Sequence, residues 1–224
     1  MLETEAATPV HANDKASDRM LEKRAIIRNA AYRCFARNGY HRTSVDDVCR
    51  AAKISKGSYY WHYETKQAVF LDILDHWASL VENELALQFR DALASPNPFT
   101  AMTQALGNEA KKQRRLLPVW MDFLGQVSRE PEIRSGLATF HRRIRETLTT
   151  LLRPMLTPAV AESDLRALTG SMLACFVGLV CQDLVDPDEA GFNTQIRIFM
   201  NTLERLVQQA RVGHLRGIAQ SEHA

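Results

Sequence analysis

The chain has 224 residues, carries a net charge of +2 and is 46% hydrophobic. That apolar content suffices for a buried core and excludes a disordered or fibrous chain. The most apolar run, Met172 to Cys181, is too short to span a bilayer, and residues 1–18 lack the apolar centre of a secretory leader, so the expectation is a soluble cytoplasmic protein with no membrane partner.

Residues 1–17, rich in Ala, Thr, Glu and Asp and interrupted by Pro9, have no apolar period and read as a disordered lead. From 18 to 37, Ile26, Ile27, Ala30, Ala31, Cys34 and Phe35 recur at helical spacing, and Asn38-Gly39 stops the helix. Two short helices are predicted over 45–52 and 56–63. A long one follows over 65–94, with Phe70, Ile73, Trp77, Leu80, Val81 and Leu87 as its apolar face. Ser95-Pro96-Asn97-Pro98 is a turn. Helices over 99–114, 117–128 and 132–152 come next, the last with Ile133, Leu137, Phe140, Ile144, Leu148 and Leu151 on one face and ended by Pro154 and Pro158. The final helices are read over 161–183 and 192–211, separated by Asp186-Pro187-Asp188 and Gly191. No strand-like alternation of useful length occurs. The fold class is therefore all-α, about nine helices: a disordered lead (1–17), a three-helix helix-turn-helix domain (18–66), a larger helical domain (67–213) and a flexible tail (214–224).

Charge singles out the smaller domain. Residues 19–66 carry eleven Lys and Arg against four Asp and Glu, a net of +7, whereas 67–224 carry sixteen against eighteen, a net of −2. A polyanion is the natural partner of such a segment, and a protein-only adaptor has no need of the concentration. Within it, Ser44 followed by Asp47 is a helix start with a reciprocal cap. Val45, Val48 and Ala52 then face inward, Lys53-Ile54 makes a tight turn, and Ser55 caps a second short helix, which together form a helix-turn-helix. That second helix opens with small and polar residues (Lys56, Gly57, Ser58), suited to close approach to base edges in a major groove. Five aromatic or imidazole side chains follow, Tyr59 to Tyr63. They cannot all face one core. Tyr59 and Tyr63 are expected inward, and Tyr60 and His62 outward, toward phosphate oxygens. Thr65 caps the long helix, whose free N–H groups, with Lys66, make a second phosphate site.

The stretch from Ala30 to Leu74 resembles the DNA-binding domain of the TetR family of bacterial regulators. The residues that carry the resemblance are Phe35-Ala-Arg-Asn-Gly39, Thr43-Ser-Val-Asp-Asp-Val48, Ile54-Ser-Lys-Gly-Ser58, Tyr60-Trp-His-Tyr63 and Lys66-Gln-Ala68. The resemblance implies that Ser44, Ser55, Lys56, Gly57, Ser58, Tyr60, His62 and Lys66 lie at or near double-stranded operator DNA. Lys53 stands where the family usually has Gly, so this turn carries a left-handed Lys at a cost of about 1 kcal/mol, gains a phosphate contact, or differs locally in conformation. More loosely, residues 117–152 are similar to the C-terminal domains of betaine-regulator-like members.

The same resemblance implies a homodimer and a pocket for a small-molecule effector in the larger domain, and repression as the default sign. For the dimer interface, Gly170, Ala174 and Gly178 form a smooth ridge at four-residue spacing, and Phe199, Leu203 and Leu206 share a face of the last helix. For the pocket, Trp77, Trp120, Phe123, Phe140, Met172 and Phe176 are apolar candidates, with Gln126 and His141 as polar ones. The four cysteines show neither a CxxC pair nor metal-ligand spacing; Cys34 and Cys175 read as small buried hydrophobes in a reducing compartment. No cofactor or metal is expected. The chain has no GxSxG, HExxH or phosphate-loop motif, and an enzyme is not the expectation.

Overall fold

A computed structural model describes residues 10–113, 117–125, 130–156, 160–186 and 189–211. Among them the chain forms nine helices: α1 (Val10–Asn38), α2 (Val45–Ala52), α3 (Lys56–His62), α4 (Lys66–Leu93), α5 (Pro98–Gln113), α6 (Leu117–Leu124), α7 (Pro131–Leu156), α8 (Glu162–Val185) and α9 (Glu189–Arg211). Two compact units result, divided between Ile73 and Leu74. The division falls inside α4 rather than at residue 66, because Val69, Phe70 and Ile73 are buried in the first unit's core.

In the first unit α1 begins at Val10, eight residues before the apolar period starts. Ala12, Lys15 and Ala16 are good helix formers, so local propensity alone accounts for a start ahead of that period. Its inward side is Ile27, Ala30, Ala31 and Phe35. Gly39 (φ 80°) ends it in the left-handed conformation, its N–H on the Phe35 carbonyl at 2.8 Å. The Tyr40 ring lies between Phe35 and Phe70, 5.2 and 5.6 Å from their centroids.

In the second unit α7 packs on α8, and α5 on α9. The predicted α7 face is buried at Ile133, Leu137, Phe140, Ile144 and Leu148. Pro154 does not end that helix, which runs to Leu156. So close to the C-terminus, little helix remains for its missing N–H to disturb. Leu80 and Leu87, expected on the inner face of α4, are exposed. At 100° per residue they fall about 80° and 100° to one side of the direction of Phe70, whereas the buried Leu74, Ala78, Leu85 and Phe89 fall about 40° to 100° to the other side. Arg143 of α7 ties to α4, its Nε donating to Glu82 at 2.8 Å and Nη2 to Ser79 Oγ at 3.0 Å. A buried hydroxyl pair, Thr149 and Thr169 at 2.8 Å, links α7 to α8.

Helix α8 reaches 24 residues, longer than its apolar run, and by length and composition alone could cross a bilayer. Its first turns hold Glu162, Asp164 and Arg166, and one side packs on α7 and α9. Cys34 and Cys175, expected buried, are half-buried, and all four cysteines are free thiols.

Candidate nucleic-acid interface and apolar cavity

The helix-turn-helix is built by three hydroxyl caps. Ser44 Oγ accepts from the Asp47 N–H at 3.2 Å while the Asp47 carboxylate accepts from the Ser44 N–H at 2.9 Å. These bonds from Ser44 hold the Asp47 carboxyl below its ordinary range. Ser55 Oγ accepts from Ser58 N–H at 3.1 Å, and Thr65 Oγ1 from Ala68 N–H at 2.9 Å. Between α2 and α3, Lys53 takes the left-handed conformation (φ 55°, ψ 46°), and its N–H reaches back to the carbonyl of Arg50.

The aromatic run of α3 divides as its spacing requires. Tyr59 and Tyr63 are buried, at 0% and 2% exposure, whereas Tyr60 and Trp61 are open at 52% and 69%. The Tyr59 hydroxyl donates to the Thr65 carbonyl at 3.1 Å and the Tyr63 hydroxyl to Asp72 Oδ2 at 2.6 Å. Asp72 also meets Arg24 and Arg28 at 3.3 and 3.4 Å, and the Arg24 guanidinium lies 4.8 Å from the Tyr63 ring centroid. Two phenols thus pin α3 to the start of α4. Sequence reasoning missed Asp72, Arg24 and Arg28; the available signal was one carboxylate set in the apolar run Val69 to Leu74.

The outer side of α3 and its approaches hold most of the expected contacts. Ser44, Lys53, Ser55, Lys56 and Gly57 are exposed, Ser58 and His62 half-buried. A Cβ built on Gly57 meets nothing closer than Ser55 Oγ at 3.9 Å, so no neighbour among the described residues requires glycine there. Lys56 Nζ sits 2.7 Å from Asp46 Oδ1, and that bond raises its pKa. Burial, then Lys23 and Arg24, lower the pKa of His62, which favours the neutral imidazole. Lys66 is placed differently from a free phosphate ligand. Its Nζ donates to the carbonyls of Tyr40 (2.8 Å) and Thr43 (3.0 Å) and touches that of His41 (3.5 Å).

The second unit holds a partly open apolar cavity of about 100 Å³. Six of the expected lining residues meet there: Trp77, Trp120, Phe140, His141, Met172 and Phe176. Trp77, Trp120 and Phe140 touch one another at 5.0–5.2 Å between centroids, and His141 stacks on Trp120 at 5.3 Å. Gln126 and the side chain of Phe123 lie outside the described residues, as does the side chain of Leu206. Burial and Arg145 lower the pKa of His141. Of the residues expected at an interface, Ala174 and Gly178 are exposed and Gly170 is half-buried. Phe199 lines the cavity and Leu203 is buried inside the subunit. In the single chain the apolar face of α9, with Phe192, Ile196 and Met200, packs largely inward.

Two family models match the chain. Residues 27–73 match "Bacterial regulatory proteins, tetR family", and residues 99–208 match "BetI-type transcriptional repressor, C-terminal". The HTH-type transcriptional regulator UidR of Escherichia coli strain K12 is 28% identical over 182 residues, covering 78% of this chain and 89% of that protein. AcrR of Shigella flexneri is 25% identical over 155 residues, 65% of this chain and 71% of its own. Among solved structures, Salmonella enterica GusR superposes with a TM-score of 0.66 at 22% identity, covering 83% of this chain and 96% of that one.

Proposed function

Because the chain belongs to the TetR family and is a DNA-binding transcriptional regulator, we propose that it is a cytoplasmic, homodimeric repressor, released from a palindromic operator by a small-molecule effector. The observation that carries the reading is the split of α3. Tyr59 and Tyr63 anchor it inward, while Lys56, Gly57, Ser58, Tyr60 and His62 offer small, basic and hydrogen-bonding groups outward. Lys53 and Ser44 flank that surface as further phosphate contacts, and Lys66 supports it from behind. A dimer presents two such helices to half-sites about one DNA turn or a multiple apart, near ~34 Å per turn.

The exposed ridge of Ala174 and Gly178, beside half-buried Gly170, supports close helix approach in the dimer. The second unit's cavity supports the effector role: a molecule bound there that favours one dimer geometry shifts the population toward it. No catalytic step is assigned.

A band-shift against the chain's own upstream intergenic DNA tests the reading. Tyr60→Ala together with Lys56→Ala should abolish the shifted band while the dimer persists in sedimentation. Retention of full affinity by that pair would remove α3 as the reading helix. Ala174→Trp should produce monomers, and an unchanged dimer would move the interface elsewhere.

A further inference from the structure

The cavity of the second unit carries information about the chemistry of its ligand. We propose that it takes a neutral, mostly apolar molecule of about one-ring size, held through a single hydroxyl or carbonyl oxygen by Trp77 and His141. The proposal rests on the reading of this cavity as the effector site and deepens it.

The lining is almost all carbon, with Leu85, Phe89, Leu148, Met172 and Val180 among its walls. Three lining side chains depart from that pattern: Glu109, which has Lys112 Nζ at 3.6 Å, Trp77 and His141. Trp77 Nε1 and His141 Nε2 are both buried, and neither has a hydrogen-bond partner among the described residues. Buried polar atoms are nearly always paired, so such a couple in one apolar cavity points to a ligand that completes them. The chemistry of each narrows the choice. An indole N–H only donates, so the ligand must present an acceptor to Trp77. A neutral imidazole nitrogen either accepts or donates. A hydroxyl oxygen can accept from Trp77 and donate to His141; a carbonyl oxygen can accept from both.

Charged ligands fit less well. A cation held by aromatic faces needs open space between rings, but Trp77, Trp120 and Phe140 pack directly on one another at 5.0–5.2 Å. The buried carboxylate on the lining, Glu109, already has Lys112 Nζ at 3.6 Å. An anion would meet that carboxylate and the negative ring faces. Size agrees with a small occupant: the cavity, about 100 Å³, is somewhat below the ~150 Å³ that accommodates benzene in an engineered apolar cavity. Met172 is an adaptable wall through which it can widen.

The test is calorimetric titration of the full-length protein with four probes: p-cresol, toluene, benzoate and tetramethylammonium. The expected result is one saturable p-cresol site per chain, bound about threefold to tenfold more tightly than toluene, as one net hydrogen bond allows, with neither ion binding. Trp77→Phe and His141→Leu should each shrink the p-cresol preference toward unity while toluene still binds. Equal affinity for p-cresol and toluene in the unmodified protein overturns the proposal, as does an ion binding as well as p-cresol or a failure of all four probes. The same samples are then assayed on operator DNA. If p-cresol binds with the expected preference yet the DNA complex persists, the ligand class is upheld and only the effector role is lost.

Discussion

The Lys66 ammonium lies 2.8 Å from the carbonyl oxygen of Tyr40 and 4.3 Å from the centroid of the same residue's ring. With Thr43 and His41 it gathers the carbonyls of the loop between α1 and α2, beside the N-terminus of α4. Lys66→Ala leaves those carbonyls short of a donor and should destabilise the first unit by about 1–3 kcal/mol. Operator affinity should fall with it, but the slope of log affinity against log salt should stay unchanged. A slope lower by about 0.9 per subunit would mean that Lys66 leaves the loop to neutralise a phosphate.

Lys53→Gly should raise stability by up to about 1 kcal/mol, since it relieves a left-handed lysine at some cost in unfolded-chain entropy. DNA binding should move the other way, weakening with a salt slope reduced by about 0.9 for each phosphate that is no longer neutralised. Thermal melting and band-shifts over a salt series read the two effects separately.

Gly57→Ala reverses the trade. Open space surrounds the missing Cβ, and alanine in a helix is favoured over glycine by about 1 kcal/mol. The variant should melt higher and bind operator at least tenfold more weakly, because the added methyl meets the DNA. Unaltered affinity would show that the backbone at Gly57 keeps its distance from the groove.

Asp46→Asn should tighten DNA binding severalfold at low ionic strength, with the gain fading as salt screens it. The substitution frees Lys56 and removes a negative charge from the reading side. Stability should hardly change, since both partners of this ion pair are exposed and solvent screens their attraction. Fluorescence anisotropy at several salt concentrations checks it.

His62 should make operator affinity rise as the pH is lowered. In the free protein burial, then Lys23 and Arg24, lower its pKa; a nearby phosphate raises it again, so the complex takes up a proton. Stability should respond in the opposite sense. A histidine less basic folded than unfolded contributes full stability above its ordinary pKa, near 6.5, and loses it as the pH falls through that value. His62→Gln should flatten both profiles relative to the parent at constant ionic strength.

The caps and the division of the aromatic run are legible in the sequence because each is a local matter. Ser44 needs only Asp47, three residues on, and five consecutive rings on one helix cannot share a core. Sequence reasoning sends Lys66 to phosphate because its carbonyl partners lie 23 to 26 residues earlier, a distance no spacing rule spans. Phe199 and Leu203 make the complementary case. An apolar stripe reports that something covers it without saying whether the cover is the same chain or another. Leu80 and Leu87 are misplaced by a seven-residue step, which on a straight helix drifts about 20° per repeat.

The two anchoring tyrosines separate what holds the reading helix from what it reads. Tyr59 and Tyr63 hydrogen-bond to groups at positions 65 and 72, none of which faces outward from α3. On the proposed function, positions 56, 58, 60 and 62 are lettering on a support held from the other side of the helix. A library randomised at those four sites should keep the fold while changing which operators are recognised, so new target sequences can be acquired without rebuilding the protein beneath them.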